Sequence, residues 1–251
     1  MIRTDYTIEV CANSVQSCIA AQQGGADRVE LCAALAEGGL TPSFATIAQA
    51  RVNADIVLNV IVRPRGGDFL YTPIEVATME ADIQAMRSLH VDGVVVGCLT
   101  ADGDIDLRTL DRLMEAADGL PVTFHRAFDR CRRPLEAMRQ LRAAGVARIL
   151  TSGQQPTAPE GATLLRQLVS EAGPKLSIMP GCGVNEHNIR QLAATTGAHE
   201  FHFSASVPVK SQMRIRNDQV AMGAAGVDEY TRMETSASRV SRTIEALCSP
   251  L

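Results

Sequence analysis

A chain of 251 residues is long enough to bury the core of one large domain. With 21% charged residues and a formal net charge of −4, it has no basic excess for binding many phosphates, which argues against a nucleic-acid partner. No apolar stretch reaches the roughly 20 residues that a membrane span needs, and no hydrophobic signal segment follows Met1. We therefore expect a cytoplasmic protein without a membrane partner.

Eight short segments rich in β-branched and aromatic residues predict eight strands, and a helical pattern separates each from the next. This alternation predicts parallel strands joined by right-handed crossovers. Eight such units close into a TIM (β/α)₈ barrel, so we expect an α/β fold with a single domain over residues 1–251. The predicted strands lie near residues 7–11, 27–31, 56–62, 93–97, 121–125, 148–151, 176–179 and 200–203.

The segment after the eighth strand departs from this repeat. Residues 204–228 are long and mixed in composition, and they predict a loop before a last helix from about Glu229 to Leu247. A long loop in a compact domain is usually functional or mobile.

Ionisable residues recur near the carboxyl ends of the predicted strands, where TIM barrels build their active sites. Because side chains alternate along a strand, the apolar neighbours of His125 and His202 place both imidazoles inside the barrel. The same alternation places Glu9, Glu30 and Arg63 inside. If the protein is an enzyme, we expect Glu30 or His125 to move a proton and Glu9 with His202 to support a metal. The alternative is that Glu30 pairs with Arg63 and the histidines are hydrogen-bonded core residues.

The loop after the third strand reads Arg63-Pro64-Arg65-Gly66-Gly67-Asp68-Phe69. Proline fixes one backbone torsion and glycine permits a left-handed one, so the loop can hold Arg63 and Arg65 in place to bind an anion. The alternative is a solvated turn in which one arginine pairs with Asp68.

A second candidate for anion binding is Gly181-Cys182-Gly183-Val184-Asn185, which follows the seventh strand and is predicted to open a helix. Gly181 and Gly183 can expose backbone amides to an anion there. The alternative is a tight turn with Asn185 as the helix N-cap.

The seven cysteines form an odd number without a Cys-x-x-Cys pair, which predicts free thiols. Cys11 and Cys32 lie at the ends of the first two strands, which are neighbours in the predicted barrel. Soft thiolates select Cu(I) among biological metals, so this pair is a candidate copper site. Free cysteines are also among the most buried residue types, and a role as small core residues is the alternative.

Several motifs together resemble the CutC family from Ile8 to about Tyr230. The resemblance implies a TIM barrel, a cytoplasmic location, oligomeric assembly that is often dimeric, and Cu(I) binding by Cys11 and Cys32 in a copper homeostasis protein. The motifs are Val29-Glu30-Leu31-Cys32, Glu37-Gly38-Gly39-Leu40-Thr41-Pro42-Ser43, the Arg63–Phe69 loop, Thr123-Phe124-His125-Arg126-Ala127-Phe128-Asp129 and Leu150-Thr151-Ser152-Gly153-Gln154.

Two functions follow from this sequence. The first is a cytoplasmic Cu(I)-binding barrel that contributes to copper tolerance or trafficking. The second is a barrel enzyme acting on a small anionic or phosphorylated metabolite, with Arg63 and Arg65 as the anion clamp and Glu30 and His125 as acid and base. We expect the first and keep the enzyme as the alternative. The arginine-rich loop is the feature that discriminates between them, because anion binding needs two cations whereas thiolate copper binding has no use for them beyond lowering the pKa of the thiols.

Overall fold

A computed structural model describes residues 1–217, 219, 220, 222, 226 and 228–249. Eight parallel strands form the wall of a barrel in the order β7-β6-β5-β4-β3-β2-β1-β8. Within the described residues β7 and β8 share no hydrogen-bonded ladder, so the barrel has a seam between them. The strands are β1 (Thr7–Ala12), β2 (Arg28–Leu31), β3 (Val57–Ile61), β4 (Gly93–Val96), β5 (Val122–Phe124), β6 (Arg148–Thr151), β7 (Ser177–Pro180) and β8 (Glu200–Phe203).

Helices connect these strands and cover the outside of the barrel. Short polar side chains start several of them; Thr72 and Glu75, for example, form a reciprocal capping box at the start of α3, whose first residue is Pro73. The predicted (β/α)₈ fold is therefore confirmed. The helices are α1 (Val15–Gln23), α2 (Phe44–Asn53), α3 (Pro73–Ser88), α4 (Leu107–Ala117), α5 (Pro134–Ala143), α6 (Ala162–Ala172), α7 (Ile189–Thr196) and α8 (Ala237–Cys248).

Alternation along the strands divides the core into two layers. Leu58, Val60 and Val62 belong to the large cluster between strands and helices, whereas Ile61 packs with Cys32 in a small cluster inside the barrel. This division follows from the period of two along a strand.

The segment after β8 differs from the prediction. It begins with a strand, β9 (Ser206–Lys210), which pairs in antiparallel fashion with β10 (Thr231–Thr235). The last helix therefore begins at Ala237 and not near Glu229, because residues 231–235 take part in the hairpin and Ser236 caps the helix. The pairing joins segments far apart in the chain, so local pattern did not predict it. Residues 218, 221, 223–225 and 227 of the predicted loop lie outside the described residues.

Over the described part of the chain, the helices fall short of the length and apolar character that crossing a membrane requires.

Candidate active site at the barrel mouth

A cavity of about 470 Å³ opens at the carboxyl ends of the strands, and we call it the mouth cavity. Its volume is in the range of small-molecule sites. The strands bring five of the sequence-predicted residues to its lining: Cys11, Glu30, Arg63, His125 and His202.

Glu9 lies beneath the cavity, fully buried, and anchors a polar network. The parallel register places it opposite His202 of β8, whose Nδ1 is 2.8 Å from Glu9 Oε1. Arg28 and Asn59 donate hydrogen bonds to Glu9 Oε2. Burial alone would raise the pKa of Glu9, but Arg28 and His202 lower it to about 2, so Glu9 stays ionised.

Glu30 contacts the other side of the same imidazole. His202 Nε2 lies 3.7 Å from Glu30 Oε2, while Glu30 Oε1 is buried without a partner among the described residues. Burial raises the pKa of Glu30 to about 7; His202 opposes this shift and the charge on Glu9 adds to it. Burial alone would lower the pKa of His202, but Glu30 and Glu9 raise it. A carboxyl group that titrates near neutrality beside an imidazole is suited to moving protons.

His125 lies in the cavity lining as a neutral imidazole. The backbone N–H of Ala127 donates to His125 Nδ1 over 3.1 Å, which fixes the ring proton on Nε2. That Nε2 is buried and has no partner among the described residues. Burial, together with the charge on Arg63, lowers the pKa of His125 to about 3, so the ring stays neutral at physiological pH.

Arg63 supplies a cation without a carboxylate partner in the described part of the chain. Its guanidinium donates to the carbonyl oxygens of Glu37, Gly39 and Gly67 at 2.7, 3.1 and 2.9 Å and stacks 5.0 Å from the centre of the Phe69 ring. Carbonyl oxygens hold the side chain in place without neutralising its charge. The predicted Glu30–Arg63 ion pair is absent from the described contacts.

Arg65 lies outside the lining of the mouth cavity. It pairs instead with Asp68 at 3.0 Å and with Glu75, and it stacks on Tyr71. Of the two loop arginines, Arg63 alone reaches the lining of the cavity, and the alternative of an ion pair with Asp68 holds for Arg65.

The turn after β7 differs from the prediction in where the helix begins. Asn185 is not the N-cap, because α7 starts at Ile189 after a separate turn in which Asn185 Oδ1 accepts the N–H of His187. Gly183 lines the cavity, whereas Gly181 packs so tightly that a Cβ there would lie 2.4 Å from Leu150. Gly181 therefore has a packing role, which the sequence pattern did not distinguish from anion binding.

The sulfurs of Cys11 and Cys32 lie 3.9 Å apart, in contact but not joined by a disulfide bond. The hydrogen bond with Cys32, burial and the nearby carboxylates Glu30 and Glu9 raise the pKa of the Cys11 thiol well above its ordinary value. Ligand atoms of Cys11, Glu30 and His202 lie within 4.8 Å of one another, so this corner of the cavity also has the composition of a metal site.

Two arginines in the cavity lining were not predicted. Arg126 follows His125 directly and bonds to Asp129 and Ser152, so its place in the motif was an available signal. Arg239 comes from α8 and reaches the cavity from outside the barrel. The sequence around Arg239 carries no pattern that would have indicated this position.

The fold and the mouth cavity together define a (β/α)₈-barrel protein with its candidate site at the carboxyl ends of the strands. The CutC family model matches residues 6–207, and the chain belongs to this family. A CutC family protein of Bacteroides thetaiotaomicron is 56% identical over 246 residues, covering 97% of this chain and 99% of that protein.

Two solved structures extend the comparison. A CutC protein from Streptococcus agalactiae, whose description proposes a role in copper homeostasis, is 34% identical and matches with a TM-score of 0.76 over 79% of this chain and 98% of that one. Thiamine phosphate pyrophosphorylase from Pyrococcus furiosus matches with a TM-score of 0.57 over 98% of this chain and 99% of that one. At 17% identity the latter indicates only the shared barrel fold.

Proposed function

We propose that this protein binds a small anionic molecule in the mouth cavity and transfers a proton to or from it through Glu30. One observation carries the proposal: Glu30, Arg63 and His125 are each only 5% exposed, line the same cavity, and each leave a buried polar atom without a partner among the described residues. Buried polar atoms are normally hydrogen-bonded, so three unpaired ones around a cavity support a ligand that pairs with them.

The three side chains have complementary roles in this proposal. Arg63 attracts the anion, because no carboxylate in the described part of the chain neutralises its charge. His125 donates its Nε2–H to a ligand oxygen, and Glu30 exchanges the proton. His202, held by Glu9, lies beside Glu30, with its Nε2 3.7 Å from Glu30 Oε2.

A ligand screen tests the binding step. We expect a panel of small carboxylates and phosphate esters to include compounds that raise the thermal unfolding temperature of the wild type, since a ligand that binds only the folded state stabilises it. Arg63→Met should abolish the rise and Arg63→Lys should weaken it, whereas Arg65→Met should retain it because Arg65 lies outside the cavity. A panel without any stabilising compound, or stabilisation that persists in a folded Arg63→Met protein, would contradict the proposal.

A second candidate function is Cu(I) binding by Cys11 and Cys32 in copper homeostasis. The specific observation in its favour is the 3.9 Å separation of the two sulfurs, which allows both to contact one ion, with Glu30 and His202 at hand. When bound, Cu(I) would replace the thiol protons and supply a positive charge to a corner that contains two carboxyl groups. We rank this candidate second, because the raised pKa of Cys11 opposes thiolate formation and a single ion leaves most of the cavity unexplained.

An anaerobic competition titration with Cu(I) tests this candidate. We expect the reduced wild type to bind Cu(I) stoichiometrically and the Cys11→Ser/Cys32→Ser variant to lose that binding while keeping its circular dichroism spectrum. Cys182→Ser is the matched control, since Cys182 also lines the cavity but donates its thiol to the carbonyl of Pro156. Equal binding by the double variant would rule out this pair as the copper site.

A cytoplasmic location and a homo-oligomeric, often dimeric, assembly remain predictions from the family resemblance. The location is supported by seven cysteines that are all free, as a reducing compartment would keep them.

A further inference from the structure

We propose that the part of the mouth cavity between the loops after β7 and β8 holds the phosphate group of a small phosphomonoester, bound by the backbone amides of Cys182, Gly183 and Val184 and by the guanidinium of Arg239. This inference rests on the proposed function, because it adds a phosphate group, distinct from the group that Arg63 binds, to the molecule on which Glu30 acts.

Three consecutive backbone amides in the turn after β7 are available to bind an anion. Cys182 and Gly183 have φ values of 72° and 76°, so two successive residues take the left-handed conformation that curves the chain. Both residues and Val184 line the cavity. In the described part of the chain their three N–H groups donate no hydrogen bond. Consecutive free amides on a curved backbone form a concave binding place for anions.

The guanidinium of Arg239 is held in place at the same part of the cavity. The hairpin after β8 and the turn after β7 both hold its guanidinium, because Nη1 donates to the carbonyl oxygen of Ser206 over 2.9 Å and Nη2 lies 3.3 Å from Glu186 Oε2. Glu186 also lies 3.8 Å from Arg242, so its negative charge is divided between two guanidiniums. Arg239 is therefore fixed between the two loops with part of its charge available to an anion.

Two unpaired polar atoms elsewhere in the lining support the binding of a ligand in this same cavity. Glu30 and His125 are each 5% exposed and line it, and Glu30 Oε1 and His125 Nε2 have no partner among the described residues. A molecule bound through its phosphate at the β7 and β8 loops would extend toward these two side chains. Phosphate fits this set of donors better than carboxylate does, because three terminal oxygens accept more hydrogen bonds than two. In many TIM barrels the loops after strands seven and eight bind phosphate.

Isothermal titration with inorganic phosphate at constant ionic strength tests the inference. We expect saturable binding to the wild type and about tenfold or weaker binding to Arg239→Met, because the variant loses charge-assisted hydrogen bonds. Arg239→Lys keeps the charge without the planar fork and should bind with intermediate affinity. Arg65→Met is the matched control and should bind like the wild type, since Arg65 lies outside the cavity lining and does not contact Glu186.

Two results would overturn the inference: the absence of saturable phosphate binding by the wild type, or unchanged binding by an Arg239→Met protein whose thermal unfolding shows that it is folded. The two proposals fail separately. If phosphate does not bind but small carboxylates stabilise the protein in an Arg63-dependent manner, the inferred phosphate site is wrong and the proposed function still holds. If phosphate binds to the wild type but not to Arg239→Met, and no bound compound exchanges a proton through Glu30, the phosphate site is supported and the acid–base role of Glu30 is wrong.

Discussion

Replacing Glu30 with glutamine is expected to slow proton exchange on a bound ligand by about a hundredfold or more, the usual contribution of a positioned general acid or base. Glutamine keeps the shape of the side chain and its place beside His202 but cannot accept a proton. Ligand affinity should therefore change little while exchange is lost. The measurement is deuterium incorporation into the ligand in D₂O, followed by proton NMR, with a compound that stabilises the wild type.

Glu37→Gln is the matched control for this experiment. Glu37 is a carboxylate near the rim, exposed and outside the cavity lining, so its replacement should leave exchange unchanged. Exchange that proceeds in Glu30→Gln at the rate of the wild type would show that Glu30 is not the proton-transfer group, even if the ligand binds as expected.

Replacing Arg28 with methionine is expected to lower the free energy of unfolding by about 3–5 kcal/mol, the cost of removing one member of a buried ionic network. Arg28 has a side chain that is only 7% exposed and joins the carboxylates of Glu9 and Glu200. Its loss leaves the fully buried charge of Glu9 supported by His202 and Asn59 alone. Urea denaturation at neutral pH measures the difference. A loss near zero would mean that the network contributes no net stability.

The loss of unfolding free energy in Arg28→Met should become smaller as the pH falls. Because the pKa of Glu9 is lowered from 4.5 to about 2 in the folded protein, its contribution to stability is complete above about pH 4.5 and is lost as the pH falls toward 2. The difference between wild type and Arg28→Met should therefore narrow over this range. Arg112→Met serves as the control at neutral pH, because its pair with Glu80 is solvent-exposed and should not alter stability measurably.

Local patterns in the sequence predicted the barrel and the inward face of its strands. All eight predicted strands are present, and no end is shifted by more than one residue, because a run of β-branched residues between turns depends on local preferences. Alternation along β3 correctly separated Ile61 inside from Leu58 and Val60 outside. The same period of two carried Glu30, His125 and His202 to the mouth, since the pleat of a strand fixes the direction of each side chain.

Which of these groups are paired and which are free depends on contacts formed when the chain folds. The Arg63 guanidinium bonds to the carbonyl oxygens of Glu37 and Gly39, which lie elsewhere in the sequence, and to that of Gly67 in its own loop. Arg65 pairs with carboxylates instead, and nothing in the loop sequence distinguishes the two arginines. The position of Arg239 depends on the hairpin that returns the chain from β9 to β10 and places α8 against the turn after β7. Such contacts join distant segments, so neither local preference nor periodicity encodes them in a form that one sequence reveals.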